Sequence, residues 1–484
     1  MPTRYITASI PYVNAEPHIG HALEFVEVDM LLRYYRALGE TVRGQYGSDD
    51  NSLKNVRAAQ AAGEDVEVYV ARHSQVFKEL QGLLNLSFDD YIRTREDRHM
   101  RGAQKLWSLM NPEDIYVKEY EGLYCVGCEI FYTDKDVVEG SCPIHKRPLE
   151  IVKEENFFFK LSKYQKVLED LIVSDKLKVV PESRKNEALG FIRQGLEDFS
   201  ISRSVARAEN WGVPVPGDEG QVMYVWVDAL SNYINALGFA DNDQAYTTFW
   251  EKAEVRSHVI GKDIMRFHVI YWPAFLLSAG LPLPTEVFVH GFLTVEGEKM
   301  SKSIGNVIAP KDLVADFGVD AVRYYFLREL PSGADGDVSK ARLEERYAEL
   351  ANDLGNLMGR VAAMSNKYFE GAVDKVPFDH AELDVRMGEA LKQYDFKDYI
   401  DTVWTVVNAA NLKIQTEEPF KLAKTDPVAA KKSLSELAAM IVWIGHALMP
   451  VIPAAAAEIL RRYTGDKLIH GEPLFPRRDQ EIKE

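Results

Sequence analysis

Two short strings carry side chains suited to phosphate chemistry. His18-Ile19-Gly20-His21 sets two imidazoles three residues apart, and Lys299-Met300-Ser301-Lys302-Ser303 sets two ammonium groups at the same spacing. At a helix start, residues i and i+3 share a face, and the helix N-terminus adds a positive field. A phosphoryl transition state needs fixed donors and cations of this kind, because its negative charge must be met in place. Lys299 and Lys302 sit in a stretch flanked by glycines, Gly297 to Gly305, which suits a clamp on a leaving pyrophosphate. Either string alone is equally consistent with solvated surface side chains.

A third cluster points to a metal. The chain has three cysteines, in Cys125-Val126-Gly127-Cys128 and Cys142-Pro143-Ile144-His145, with thirteen residues between the pairs. Cys125, Cys128, Cys142 and His145 are four soft or borderline donors at the spacing of a tetrahedral zinc site. Four protein ligands close the coordination sphere, so the zinc is expected to hold a loop rather than activate water. A disulfide would leave one cysteine over, and reduced surface cysteines leave the matched spacing unexplained.

The elements that must position these groups follow from pattern. Arg4 to Ile10 is β-prone and stopped by Pro11, His18 to Leu38 has helical apolar spacing closed by Gly39, and Thr41 to Tyr46 reads as a second strand. That is a βαβ unit of a parallel nucleotide-binding sheet, whose ligands sit beyond the strand C-terminal ends, at Pro11-Tyr12 and at Gly47 to Asp50. Sheet-like pattern resumes at Gln221 to Asp228, Ser257 to Ile260 and Val287 to His290, so the sheet domain is split. Helical stretches then run from Leu343 to Tyr368, His380 to Ile414 and Pro427 to Met449.

Composition bounds the partners. The 484 residues are 46% hydrophobic and 27% charged, an ordinary globular mix, with a net charge of −17. Such acidity argues against a wrapped polyanion or a basic membrane surface, so any nucleic acid must meet local basic faces. Candidates run from Arg184 to Arg193, from Arg203 to Arg207 and from Lys421 to Lys432. The start of the chain shows no export signal, and a cytoplasmic protein is expected. Ala438 to Leu460 is apolar, but Gly445, His446, Pro450, Pro453 and Glu458 interrupt it, which predicts a bundle helix ending at Met449-Pro450 rather than a membrane span.

With their flanks, the two strings resemble those of the class I aminoacyl-tRNA synthetases. Further segments are similar to the methionyl-tRNA synthetase family in its single-zinc form: Ile10-Pro11-Tyr12-Val13-Asn14, Glu155 to Tyr164, Gly195 to Arg203, Trp211 to Pro216 and Tyr224 to Ala229. The resemblance implies an α/β fold, a split Rossmann-type parallel-sheet catalytic domain with a zinc-bearing insertion, followed by an α-helical anticodon-binding bundle. The expected boundaries are 1–110 and 221–295 for the two catalytic halves, 111–220 for the insertion with its knuckle at 122–148, 296–342 for the lysine loop and stem-contact region, 343–466 for the bundle and 467–484 for a tail.

The same resemblance assigns residues. His18, His21, Lys299 and Lys302 would be catalytic, with Gly20, Asp263 and Ser301 joining the lysines around ATP. Asp49 would hold the substrate ammonium, and Ile10, Tyr12, Trp226, Ala229, Tyr233 and His290 would surround the methionine side chain. Asn356, Arg360 and Phe420 would read the anticodon. ATP as substrate, Mg2+, Zn2+, L-methionine and tRNA(Met) are implied, and a monomer is expected. Two positions depart from the family. Asp49-Asp50-Asn51-Ser52 stands where the family usually reads Asp-Glu-His-Gly, and Pro419-Phe420 stands in place of Pro-Trp. These departures keep open a paralogous ligase that activates methionine or a similar small apolar amino acid for another acceptor. A catalytically silent tRNA-binding or regulatory protein is a third reading.

Overall fold

The computed structural model describes residues 2–125, 130–132, 137, 141–143, 146–299 and 307–478. In chain order it opens with β1 (Thr3–Ala8), α1 (Ile19–Ala37), β2 (Thr41–Ser48), α2 (Leu53–Ala62), β3 (Asp90–Arg93) and α3 (Asp97–Leu109). Two compact units form: Met1–Pro17, Leu38–Gln81 and Ser87–His290 make one, and His18–Ala37, Gly82–Leu86 and Gly291–Glu484 make the other. The helix that carries the first histidine string therefore belongs to the second unit.

The first unit is built on a six-stranded sheet. Adding β6 (Lys178–Val180), β8 (Val255–Gly261) and β9 (Glu286–His290), its order is β3-β2-β1-β8-β9-β6 and every pairing is parallel. Tyr5, Ile6, Thr7 and Ala8 are all buried, as expected where both faces of a parallel sheet are covered. The buried polar groups are matched across strands: the Thr7 hydroxyl lies 2.7 Å from Nδ1 of His258, whose Nε2 accepts from the Trp272 indole. In the insertion, the antiparallel pair β4 (Ile115–Cys125) and β5 (Glu150–Phe159) is the centre of a four-stranded sheet, flanked by Ile130–Tyr132 and Phe199–Ser200. Its root is fixed by Asp114, which is fully buried and accepts hydrogen bonds from Lys163, Tyr164 and Ser278.

One expected strand is corrected. Only Asp218–Met223 is extended (β7), and it joins Pro214–Val215 and Ser202–Ser204 in a separate antiparallel sheet. From Val225 to Leu230 the chain is helical (α4), with the Tyr224 carbonyl accepting from the Val227 and Asp228 amides. The valines and aromatics here read as strand, but α4 is buried at Val225, Val227, Asp228, Ala229 and Leu230, and a segment buried at every position but Trp226 shows no period.

The second unit is helical. Its main elements are α5 (Val319–Glu329), α6 (Asn356–Phe369), α7 (Phe396–Glu417), α8 (Pro419–Thr425), α9 (Pro427–Leu448) and α10 (Pro453–Tyr463). Asp395 and Asp426 cap α7 and α9 by accepting from backbone amides three residues on, and Pro427 opens α9. The expected stretch from His380 to Ile414 is two helices, because Tyr394 takes the left-handed conformation at φ 57° and Ala381–Lys392 ends before it. No described helix is long and apolar enough to cross a membrane.

A buried ion pair ties α1 into this unit. Arg323 on α5 and Asp29 on α1 are both fully buried, 2.7 Å apart, and Arg323 also donates to the carbonyls of Leu84, Pro450 and Val451. Arg323→Met strips donors from four buried oxygens, and unfolding in urea should show a loss of about 3 kcal/mol or more. An unchanged denaturation midpoint would remove the pair from the forces that place α1.

Candidate functional site

In the first unit, β1 and β2 stay paired past their ends. The Asp49 amide donates to the Pro11 carbonyl at 2.8 Å, and Tyr12 and Asp49 form a parallel bridge. Gly47 permits this approach, because a Cβ there would lie 2.2 Å from the Ile92 carbonyl oxygen and 3.0 Å from Cγ2 of Ile10. Ile10, Tyr12 and Asp49 thus gather at one pair of strand ends. Trp226 and Ala229 come from α4, and Tyr233 from the short helix Asn232–Asn235 after it. The Tyr12 and Trp226 rings meet edge to face at 6.4 Å, and Trp226 stacks on Phe267 at 3.7 Å. Ala229 and Tyr233 are buried.

Two histidines touch Tyr233: the His258 ring lies 4.0 Å from its ring, and His268 is hydrogen-bonded to it. Three contacts define the place of His268. Its Nε2 lies 2.6 Å from the Tyr233 hydroxyl, its ring faces Trp226 edge-on at 6.2 Å, and its Nδ1 lies 2.9 Å from the Ile264 carbonyl. A carbonyl only accepts, so the proton is on Nδ1 and Nε2 accepts from Tyr233. His290 ends β9, paired in register with Gly261 of β8. A Cβ on Gly261 would lie 3.5 Å from Cε1 of His290 and 3.0 Å from Oδ1 of Asp263. His268 is absent from the candidates the sequence offered. The signal that could have found it is its place four residues after Ile264, one helical turn from the carbonyl that orients it.

In the second unit, the His18 and His21 rings stack at 3.8 Å. Nδ1 of His18 accepts from the Gly20 amide and Nδ1 of His21 from the His18 amide. Backbone N–H groups only donate, so each ring keeps its proton on Nε2 and acts as a neutral donor. Gly20 makes room for this, since a Cβ there would lie 2.9 Å from Cε1 of His18. The Ile19 amide donates to the Ile308 carbonyl at 3.2 Å, bringing the first string beside the segment that follows the second. Lys299 pairs in register with Thr294 in a short antiparallel ladder. Ser301 and Lys302 lie outside the described residues, as do Cys128 and His145. Cys125 and Cys142 are buried in one small cluster with Val137 and Leu149 packed against it. Asn356 and Arg360 are exposed one turn apart on α6, and Phe420 is 41% exposed on α8, which packs against α6.

The family described as tRNA synthetases class I (M) matches residues 4–150 and 144–362. A methionine–tRNA ligase of Brucella suis is 41% identical over 94% of this chain and 90% of its own length. That of Clostridium acetobutylicum is 39% identical over 99% of this chain and 79% of its own. The Mycobacterium tuberculosis methionyl-tRNA synthetase, solved in complex with methionyl-adenylate, superposes with a TM-score of 0.89 at 36% identity, covering 99% of this chain and all of that one. The chain belongs to the methionine–tRNA ligase family.

Against the family pattern, the Asp49-Asp50-Asn51-Ser52 departure is structurally complete. Ser52 caps α2 by accepting from the Lys54 amide at 3.1 Å. Asp50 is fully buried, accepts from Ser48 and pairs with Arg93 at 2.8 Å. Burial pushes its carboxyl up to about 6 against the opposing pull of Arg93. Asn51 donates to Asp228 and to the Thr94 carbonyl. In this family member, Lys421 Nζ lies 5.9 Å from the Phe420 ring, leaving an exposed aromatic face with a cation beside it.

Burial lowers the His18 imidazole from 6.5 to about 4, with the hydrogen bond to its own backbone opposing. Between those values the unfolded chain holds a proton that the folded chain lacks, so this histidine's contribution is lost as pH falls through that window. The full shift is worth about 3 kcal/mol. His18→Asn should therefore lose less stability than the parent between pH 7 and pH 4, measured by urea unfolding at each pH. Equal losses would mean that His18 is not held neutral.

Proposed function

We propose that this chain activates L-methionine with ATP and transfers it to the 3′ end of tRNA(Met). The observation that carries this reading is family membership over nearly the whole chain, together with a buried carboxylate, Asp49, beside an aromatic wall of Tyr12, Trp226 and Tyr233. A methionine carboxylate oxygen attacks the α-phosphorus, the bond to pyrophosphate breaks, and methionyl-adenylate forms. The terminal adenosine hydroxyl of the tRNA then attacks the acyl carbon and AMP leaves.

Each residue has a part in this reading. Asp49 takes the substrate ammonium, since a carboxylate best fixes that group. Tyr12, Trp226, Ala229, Tyr233, His290 and Ile10 line the side-chain site, with His268 behind Tyr233, and a polarizable thioether favours aromatic contact there. The Nε2 protons of His18 and His21 meet charge on the phosphates as preorganised neutral donors, which need no proton uptake. Lys299 and Lys302 supply full positive charge to the pyrophosphate, with Mg2+ accompanying ATP. Gly20, Asp263 and Ser301 complete the nucleotide contacts, and Asn356, Arg360 and Phe420 face the anticodon. His290, next to Asp263 at Gly261, borders the same strand ends. A monomer working in the cytoplasm is part of the proposal.

Zinc fits the two described thiols, Cys125 and Cys142. Cys125 ends β4, and Cys142 opens a turn in which its amide donates to Arg147 and its carbonyl accepts from Lys146, at φ 51°. Two buried thiols in one small cluster form half of a tetrahedral donor set, which Cys128 and His145 would complete. The metal would order the insertion. Metal analysis of the purified protein should give one zinc per chain, falling well below that in Cys142→Ser; a zinc-free parent would refute the site.

The deciding assay is amino-acid-dependent ATP–pyrophosphate exchange across the twenty standard amino acids, followed by charging of tRNA(Met). Exchange confined to methionine, with charging, is expected. Exchange with methionine but no charging would favour the paralogous ligase, and exchange with none would leave the silent reading.

A further inference from the structure

We propose that Asn51 is a positioning residue for the substrate ammonium: anchored by Asp228, it holds the Asp49 carboxylate through its own backbone N–H. The proposal rests on Asp49 being the ammonium ligand. The Asn51 amide donates to Oδ1 of Asp49 at 3.0 Å, and the Thr94 hydroxyl approaches the same oxygen at 3.4 Å. The Asp49 carbonyl is held from the other side by Nδ2 of Asn55 at 2.8 Å. The place of the carboxylate therefore depends on where the Asn51 backbone sits.

The Asn51 side chain fixes that backbone. Its Nδ2 donates to Oδ2 of Asp228 at 2.7 Å and to the Thr94 carbonyl at 3.1 Å. Both partners only accept, so the orientation of the amide is determined: nitrogen toward them, oxygen away. The oxygen is buried without a hydrogen-bond partner, which shows that the two donated bonds decide the geometry. One nitrogen with two protons bridges two acceptors here. A histidine, the family's usual residue, has one proton per nitrogen and cannot bridge both from a single atom.

Asp228 is held in turn. Its Oδ1 is bonded by Nε2 of His99, and Nδ1 of His99 is approached by the Asn235 amide nitrogen at 3.4 Å. That nitrogen also donates to the Ser231 hydroxyl and to the His99 carbonyl. The Asp228 carboxylate only accepts, so His99 carries a proton on Nε2 and gives it to Asp228. His99, Asp228, Asn51 and Asp49 are all at least 95% buried. This is a relay of short bonds from α3 and α4 to the carboxylate, and it removes the freedom that Asp49 would otherwise lose on binding.

The test uses Asn51→Leu and Asp228→Asn in the full chain, with thermal melting to confirm folding. Each should raise KM for methionine about tenfold or more in pyrophosphate exchange, with KM for ATP within about twofold. The double variant should be no worse than the poorer single one, because both act through one anchor. Inhibition by methioninol, which keeps the ammonium, should weaken alongside. Inhibition by the analogue with hydrogen in place of the amino group should not. If Asn51→Leu does not fold, Asn51→Ser removes the anchor without setting an apolar group against Asp228. Parallel rises in both KM values, additive effects, or lower melting with an unchanged methionine KM would overturn the proposal. A parent without methionine-dependent exchange would instead overturn the function on which it rests.

Discussion

The pairing of β1 and β2 beyond the strands themselves is the constraint on which the amino-acid side depends. A single bond from the Asp49 amide to the Pro11 carbonyl continues the parallel ladder into two loops and sets Tyr12 against Asp49. The approach is possible because position 47 lacks a side chain and the neighbouring strand presses its Ile92 carbonyl into that space. The ligand groups are therefore located by backbone hydrogen bonds, which are stiff, rather than by loop side chains. Loops at the carboxyl ends of parallel strands are where such sheets place their ligands, and this chain uses that geometry at β1, β2 and β9.

Burying acids at such a place has a physical cost, and the structure meets it with partners rather than with solvent. Asp50 pairs with Arg93, and Asp228 takes bonds from His99 and Asn51. The helical unit solves the same problem at Asp29, with Arg323 and Arg33. In each case a buried carboxylate is held by donors from different elements, so the pair that removes the penalty also fixes one element against another. α1 is placed this way, and α1 carries the histidine pair.

The histidine pair acquires its protonation state from its backbone and its burial. Both Nδ1 atoms are taken by backbone amides, and burial keeps His18 neutral. The proton of each ring is therefore on Nε2. Neutral donors stabilise developing charge without a change in protonation, while full charge is left to the lysines of the second string.

Much was legible in the chain because it is local. The helix from His18, the strands around it, the caps of the bundle helices and the spacing of the metal donors depend on residues within one or two turns of each other. The motifs also fixed the family, since two phosphate-handling strings with matching flanks are a long specification. Three things were decided by tertiary structure alone. The segment after Tyr224 is a helix because the Tyr224 carbonyl finds partners ahead of it, and burial of all its residues but Trp226 hides the period from the sequence. His268 touches Tyr233 and Trp226, because the helical segment after β8 packs on α4. Asn51, which reads as a lost histidine, is a bridge between Asp228 and Thr94, partners 177 and 43 residues away. Hydrogen bonds over such separations leave no periodic trace in a sequence, because only folding brings their ends together.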